Sequence, residues 1–235
     1  MAHHYKAKDG RVLPSVTKVI GDITGDDYRY WYASLRKKGY DPDKVLTDMG
    51  NIGTICHYRV LSKLSPSPIE IPDIPLNKYP VGVNSYAEIF EMLWEQTGLR
   101  LERNTVEKFN FDEERGYCGT YDDDSERIYG DIKDERTGKT ITFNGASCIL
   151  DLKTSKEAKE KHYLQLGAYY PFVKNPPMYG IVACLCPYTD AKTPYGNKNP
   201  HLLPRIYVLT REELMSYRDQ FYVMLKAWWN EHDRK

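Results

Sequence analysis

The chain has 235 residues, 41% hydrophobic and 28% charged, the proportions of a globular protein with enough sequence for one substantial core. With 33 Lys and Arg against 33 Asp and Glu the formal net charge is zero, so no global field draws the chain to a polyanion, and any such contact has to come from a local basic patch. No run of about 18 apolar residues occurs and the opening MAHHYKAKDGR has no signal-peptide core, which predicts a soluble intracellular protein without an evident organellar targeting segment, cytoplasmic in a phage or bacterial setting.

The opening GRVLPSVTKVIGDI reads as a short extended piece and then a helix with Ser15 as its N-cap. DDYRYWYASLRKKG is a second helix, aromatic early and basic late, closed by Gly39; that charge order suits the helix dipole. GNIGTICHYRVLSKL predicts a third, with Ile52, Ile55, Val60, Leu61 and Leu64 on its buried side. Residues 65–83 contain five prolines and cannot be helix interior. NSYAEIFEMLWEQTG is a fourth helix, capped by Asn84 or Ser85 and stopped by Gly98.

The hydrophobic period then changes. LRLERNTVEKFNF, GYCGTYD, RIYGDIKDE and KTITFNGASCILDLKT read as consecutive strands, mostly antiparallel, with RTGK as a hairpin turn. A lysine-rich helix is expected over 156–174, then a central apolar strand MYGIVACLCPYT, a strand PRIYVLT, and a closing helix REELMSYRDQFYVMLKAWWNEH. The expected architecture is one α/β domain over 1–235, helical over 1–98, with a mixed sheet flanked by helices over 99–235. Cys56, Cys118, Cys148, Cys184 and Cys186 are odd in number and form no C-x-x-C pair, which predicts buried reduced thiols and no structural zinc.

The spacing D-x-K recurs along the chain, and context has to separate Asp131–Lys133 from Asp151–Lys153. Asp151 ends the apolar run SCIL, so its carboxylate emerges at the end of a buried strand, where an unpaired charge is costly. Asp131 and Lys133 are flanked by residues of an exposed hairpin and read as solvated. Upstream, GYCGTYDDD places Asp122 at the end of a strand before a polar turn, with Gly119 allowing close backbone approach. Two carboxylates at neighbouring strand ends, with a carbonyl, make a hard-oxygen site for magnesium or manganese. In the following helix Lys161, Gln165 and Tyr169 line one stripe, opposite Tyr163, Leu166, Tyr170 and Val173. Taken alone that stripe is a solvated face, and His57 on an amphipathic helix is a structural histidine.

GTICH (53–57), GTYD (119–122), DLKTS (151–155) and QLGAY (165–169), in this order, resemble the signature of RecB-like nucleases of the PD-(D/E)XK superfamily. LPSVTKVI also resembles the PSVT segment of a viral and mitochondrial branch that includes genome maintenance exonucleases. The resemblance spans about residues 13–187 and implies a PD-(D/E)XK core acting as a metal-dependent DNA nuclease. It makes His57, Asp122, Asp151 and the Leu152 carbonyl ligands of Mg²⁺ or Mn²⁺, with Glu107 a looser match. Lys153 would be the catalytic lysine, with Gln165 and Tyr169 steadying the site, and Thr154, Ser155, Lys156, Lys159 and Lys161 would face DNA. Replication or recombination proteins are the implied partners.

Two features depart from the family pattern. The 29 positions from Asp122 to Asp151 imply an inserted hairpin around 123–146, and Cys184 and Cys186 are too few for the late cysteines of an iron–sulfur cluster, so none is expected. An exonuclease is the leading expectation, with a structure-selective endonuclease or a non-catalytic nucleic-acid-binding subunit as alternatives. A general interaction domain is favoured only by the zero net charge. Tyr28, Tyr30, Trp31 and Tyr32 are candidates for stacking on unpaired bases.

Overall fold

The computed structural model describes residues 5–25, 28–70, 83–185 and 204–232. Strand β1 (Tyr5–Lys6) pairs antiparallel with β2 (Val12–Leu13) and leads into helix α1 (Val16–Thr24). Ser15 caps α1 as expected, its Oγ accepting from the Lys18 N–H at 3.2 Å. Helix α2 (Arg29–Lys37) ends before Gly39, whose φ of 80° is a turn position. Helix α3 (Pro42–Leu64) starts eight residues before the expected Gly50. Asp41 accepts from the Asp43 and Lys44 N–H groups, and Pro42 sits in the first turn, where a missing donor costs nothing. Its predicted inner side, Ile52, Ile55, Val60, Leu61 and Leu64, is buried. Most of the proline-rich stretch, 71–82, lies outside the described residues. Helix α4 (Val83–Thr97) begins just ahead of the expected caps Asn84 and Ser85, and Gly98 at φ 65° follows its end.

Five strands form the main sheet: β3 (Arg100–Asp112), β4 (Tyr117–Lys133), β5 (Thr140–Lys153), β6 (Tyr179–Cys184) and β7 (Arg205–Thr210), adjacent in that order. β5 and β6 run parallel, joined through α5 (Glu160–Tyr169) and a 3-10 turn at Tyr170–Phe172; the other neighbours are antiparallel. β5, not the expected 178–189 strand, is the middle of the sheet. The helix expected over 156–174 is also shorter, because 154–159 forms the bends that turn the chain out of β5. α6 (Arg211–His232) closes the fold.

One core lies between the sheet and α3 and α4, and includes Leu61, Phe90, Leu150, Leu152 and Ile181. A second lies between the sheet and α1, α5 and α6, and includes Val19, Tyr117, Leu166, Val182 and Phe221. The result is an α/β architecture with a mixed sheet between two helical layers. Close approach of α5 to α6 depends on Gly167, where a Cβ would meet the Arg218 backbone nitrogen at 2.5 Å.

The segments expected as two strands, 116–122 and 127–135, are one continuous β4. Asp122, Asp123 and Asp124 look like a turn by composition, but partners on the neighbouring strands hold them in β4. Asp122 accepts from the Leu152 N–H at 2.6 Å, Asp123 from Asn104 Nδ2 at 2.9 Å, and Asp124 pairs with Ile149 in the ladder. Asp122 is therefore a mid-strand residue and no polar turn follows it.

The expected hairpin exists, but it is not a solvated excursion. Its ribbon, bent at irregularities between Ser125 and Tyr129, folds so that its turn meets β7 at the other side of the sheet. The Glu135 N–H donates to the Ile206 carbonyl at 2.8 Å and the Val208 N–H to Asp134 Oδ1 at 3.1 Å. Arg136 bonds Glu213 at 2.8 Å and also the Val208 carbonyl. Ile128, Ile132 and Phe143 of the ribbon are buried in the α3–α4 core. Asp131 and Lys133 remain exposed, as expected, with Asp131 accepting from the Thr142 hydroxyl at 2.7 Å.

Candidate functional site

Between its neighbours β4 and β6, β5 buries Ile149, Leu150 and Leu152, and Asp151 emerges among them only 1% exposed. Lys153 Nζ donates to Asp151 Oδ1 at 2.7 Å and to Gln165 Oε1 of α5 at 3.1 Å. Gln165 Nε2 donates in turn to the Tyr169 hydroxyl at 3.4 Å. On the other side, the Leu152 N–H holds Asp122 Oδ2, and Asp122 Oδ1 lies 3.6 Å from His57 Nδ1. In a strand one residue's N–H and C=O point to the same edge, so the Leu152 carbonyl is also directed toward β4. Ligand atoms of His57, Glu107 and Asp122 all lie within 4.8 Å of one another.

The fold delivers each group for a local reason. Val106 pairs with Asp123 and Lys108 with Tyr121, which sets Glu107 opposite Asp122. Glu107 has φ 49°, a left-handed conformation costing roughly 1–3 kcal/mol in a non-glycine residue. β4 changes phase at the same rung. Tyr121 turns toward Tyr169, with ring centroids 6.4 Å apart, whereas Asp123 turns to Asn104, which also donates to the Leu64 carbonyl of α3 at 2.6 Å. Gly119 faces the Tyr169 ring so closely that a Cβ would stand 2.6 Å from its Cε1. Gly53 faces Thr154 at the end of β5, so α3 packs there and presents His57 one turn later.

Burial raises Asp151 most; Lys153 opposes and Asp122 adds, leaving its carboxyl at about 6. Burial and then the Asp122 charge lift Glu107 to about 7 against His57. Burial also disfavours charged Asp122, but His57, Lys153 and the Leu152 N–H outweigh it and hold this carboxyl below its ordinary value. Lys153 stays above its ordinary value despite burial, because Asp151 and Asp122 stand beside it. His57 is likewise raised by Asp122 against its burial. Asp151 Oδ2 is buried without a hydrogen-bond partner, a condition that costs about 1–3 kcal/mol or more for a charged group. Carboxylate oxygens with one imidazole and an orphaned buried oxygen are a donor set that a hard divalent cation fits.

The fold thus brings together His57, Glu107, Asp122, Asp151, Lys153, Gln165 and Tyr169 from α3, β3, β4, β5 and α5. Gln165 and Tyr169 are not a solvated stripe. Tyr169 is buried, and burial pushes its phenol far above the ordinary value. Thr154, Ser155, Lys156 and Lys159 lie on the connection after β5 rather than on a helix, with Lys156 and Lys159 exposed and Lys161 half-buried in α5.

Sequence reasoning missed His162, buried in the first turn of α5. Its Nδ1 accepts from the Lys159 N–H at 3.1 Å, and burial, with Lys153, Lys161 and Lys159 nearby, pushes it down to about 3. A neutral imidazole thus fills the capping role usually taken by Glu or Gln three residues into a helix; that position was the available signal. Asn104 was also missed, and no local pattern marks it. Cys56, Cys118, Cys148 and Cys184 are buried thiols; Cys186 lies outside the described residues.

No family model matches this chain, and no curated protein does. A solved structure titled "Crystal structure of SSO0001" is similar at 14% identity and a TM-score of 0.31, over 94% of this chain and 79% of that one. A likeness that weak carries no argument about fold or function, so the functional reading rests on the side-chain cluster and on the ordered motifs. No helix among the described residues is long and apolar enough to cross a membrane.

Proposed function

We propose that the protein is a magnesium- or manganese-dependent DNA nuclease with a PD-(D/E)XK-type core, most simply an exonuclease of DNA replication, recombination or repair. The observation that carries this reading is the charged pair Asp151–Lys153, with Asp151 Oδ2 buried and unpartnered, beside the His57–Glu107–Asp122 cluster. The choice of DNA as substrate comes from the resemblance of the four ordered motifs to RecB-like nucleases.

His57, Glu107, Asp122 and Asp151 would hold the cation, which when bound supplies a polarised phosphate and a water of lowered pKa. Lys153, kept charged by its two carboxylate neighbours, is suited to orient that water or to offset charge building on the phosphate oxygens. Gln165 fixes the Lys153 ammonium and Tyr169 fixes Gln165, so the lysine is oriented before substrate arrives. The Leu152 N–H does the same for Asp122. Thr154, Ser155, Lys156, Lys159 and Lys161 follow directly in the chain and are the proposed backbone contacts.

The test is digestion of single- and double-stranded DNA, labelled at the 5′ or the 3′ end, with Mg²⁺, with Mn²⁺ and with chelator. Cleavage only in the metal lanes supports the reading, and the label released gives the polarity. Intact DNA in every lane contradicts it.

A further inference from the structure

Packing alone does not account for α2. Of its nine residues only Leu35 is buried. Tyr30 is 85% exposed, and Tyr28, just before the helix, 40%. Trp31 and Tyr32 are half-buried, and none of these four aromatic residues belongs to the hydrophobic clusters on the faces of the sheet. Three of the rings gather on one another instead: Tyr28–Trp31 at 6.0 Å, Tyr28–Tyr32 at 6.2 Å and Trp31–Tyr32 at 5.5 Å between centroids.

The charge of the same segment is one-sided. Residues 29–38, RYWYASLRKK, contain Arg29, Arg36, Lys37 and Lys38 and no acidic residue, in a chain whose charges cancel overall. Asp26 and Asp27 precede the helix in sequence. Of the acids that follow, Asp41 is occupied in capping α3, and Asp43 accepts from the Tyr32 hydroxyl at 3.1 Å. Arg36 lies 5.8 Å from the Tyr32 ring centre. Exposed rings next to a run of cations suit a polyanion that offers flat apolar faces, and paired bases hide those faces inside a duplex.

We propose that α2 is a binding element for single-stranded nucleic acid, with bases stacking on Tyr30 and on the Tyr28–Trp31–Tyr32 group and phosphates held by Arg36, Lys37 and Lys38. The proposal rests on the nuclease reading of the His57–Asp151 cluster and deepens it by naming the form of substrate. The Tyr32–Asp43 contact ties α2 to the first turn of α3, 14 residues before His57. That separation is about 21 Å along the helix axis, the span of roughly six stacked nucleotides. A strand lying on α2 can therefore reach the cluster without leaving the α3 surface.

The test is fluorescence anisotropy of labelled oligonucleotides in chelator, so that no cleavage intervenes. Tyr30→Ala, at a site too exposed to disturb folding, is expected to weaken single-strand binding by roughly 5- to 100-fold and to leave duplex binding within twofold of wild type. Tyr30→Phe should restore the affinity. Replacing Lys37 and Lys38 by Ala should flatten the log–log salt dependence by about 0.7 for each phosphate no longer neutralised. Single-strand affinity of Tyr30→Ala within twofold of wild type, or an equal loss on duplex, overturns the proposal. Wild-type cleavage in Mn²⁺ is scored separately, so α2 can fail with the nuclease reading intact, and the nuclease reading can fail with α2 still binding single strands.

Discussion

Asp151→Asn is the substitution on which the electrostatics of the cluster make their boldest statement. Asp151 is 1% exposed, one of its oxygens has no partner, and its carboxyl titrates at about 6 against an ordinary 3.8. A carboxyl raised in the folded state binds its proton more tightly there, so its contribution to stability is best below about pH 4 and is lost as the pH rises toward 6. The interval amounts to about 3 kcal/mol of penalty at pH 7 in metal-free protein, with the attraction of Lys153 already included. A neutral isostere keeps an acceptor for Lys153 and removes the charge. Metal-free Asp151→Asn should therefore be more stable than wild type at pH 7 by up to about 3 kcal/mol, roughly 6–12 °C in Tm for a chain of this size. At pH 4 the difference should vanish. Saturating Mn²⁺ should favour the wild type, by about 2.7 kcal/mol at a hundred times Kd, and leave the variant nearly unmoved. The assay is thermal and urea unfolding of both proteins at the two pH values, with and without metal. A variant less stable than wild type at pH 7, or one with the same advantage at pH 4, would show that Asp151 carries no such penalty.

Two further outcomes follow from the same geometry. Gly119→Ala drives a methyl into the Tyr169 ring and should cost about 1–3 kcal/mol in urea unfolding; adding Tyr169→Ala removes the clash, so the double variant should lose less than the sum of the two. Because Glu107 at about 7, Asp151 at about 6 and the raised His57 must all lose protons to ligate, calorimetric Mn²⁺ affinity should rise steeply from pH 5.5 to 7.5; a flat profile would remove these groups from the ligand set.

Local chemistry made much of the fold readable. The Ser15 cap, the inner side of α3, the stop at Gly98, the hairpin turn before β5 and the burial of Asp151 each depend on a few neighbouring residues. What escaped depends on partners far along the chain. Three successive aspartates mimic a turn because the Leu152 N–H and Asn104 that hold two of them in β4 cannot be seen from residues 117–133. The β4–β5 ribbon reads as exposed because Asp134 and Arg136 find their partners on β7 and α6, some 70 positions later. The site shows the same division. Asp151 and Lys153 stand out from their strand context, and the order of the motifs points to His57 and Asp122. The inward turn of Gln165 and Tyr169, and the left-handed Glu107 opposite Asp122, exist only once α5 and β3 are packed.

The central claim is that Asp151–Lys153, and not Asp131–Lys133 with the same spacing, belongs to an active site. Lys153 is half-buried and bonded to Asp151 and Gln165, whereas Lys133 lies exposed on the ribbon. The direct measurement is the rate of Mn²⁺-dependent cleavage of end-labelled DNA by Lys153→Ala and Lys133→Ala, with unfolding curves to confirm that both fold. Loss of an electrostatic stabiliser predicts a fall of about 10²–10³-fold for Lys153→Ala and a rate within twofold of wild type for Lys133→Ala. Undiminished cleavage by Lys153→Ala, or equal loss in both variants, would contradict the account.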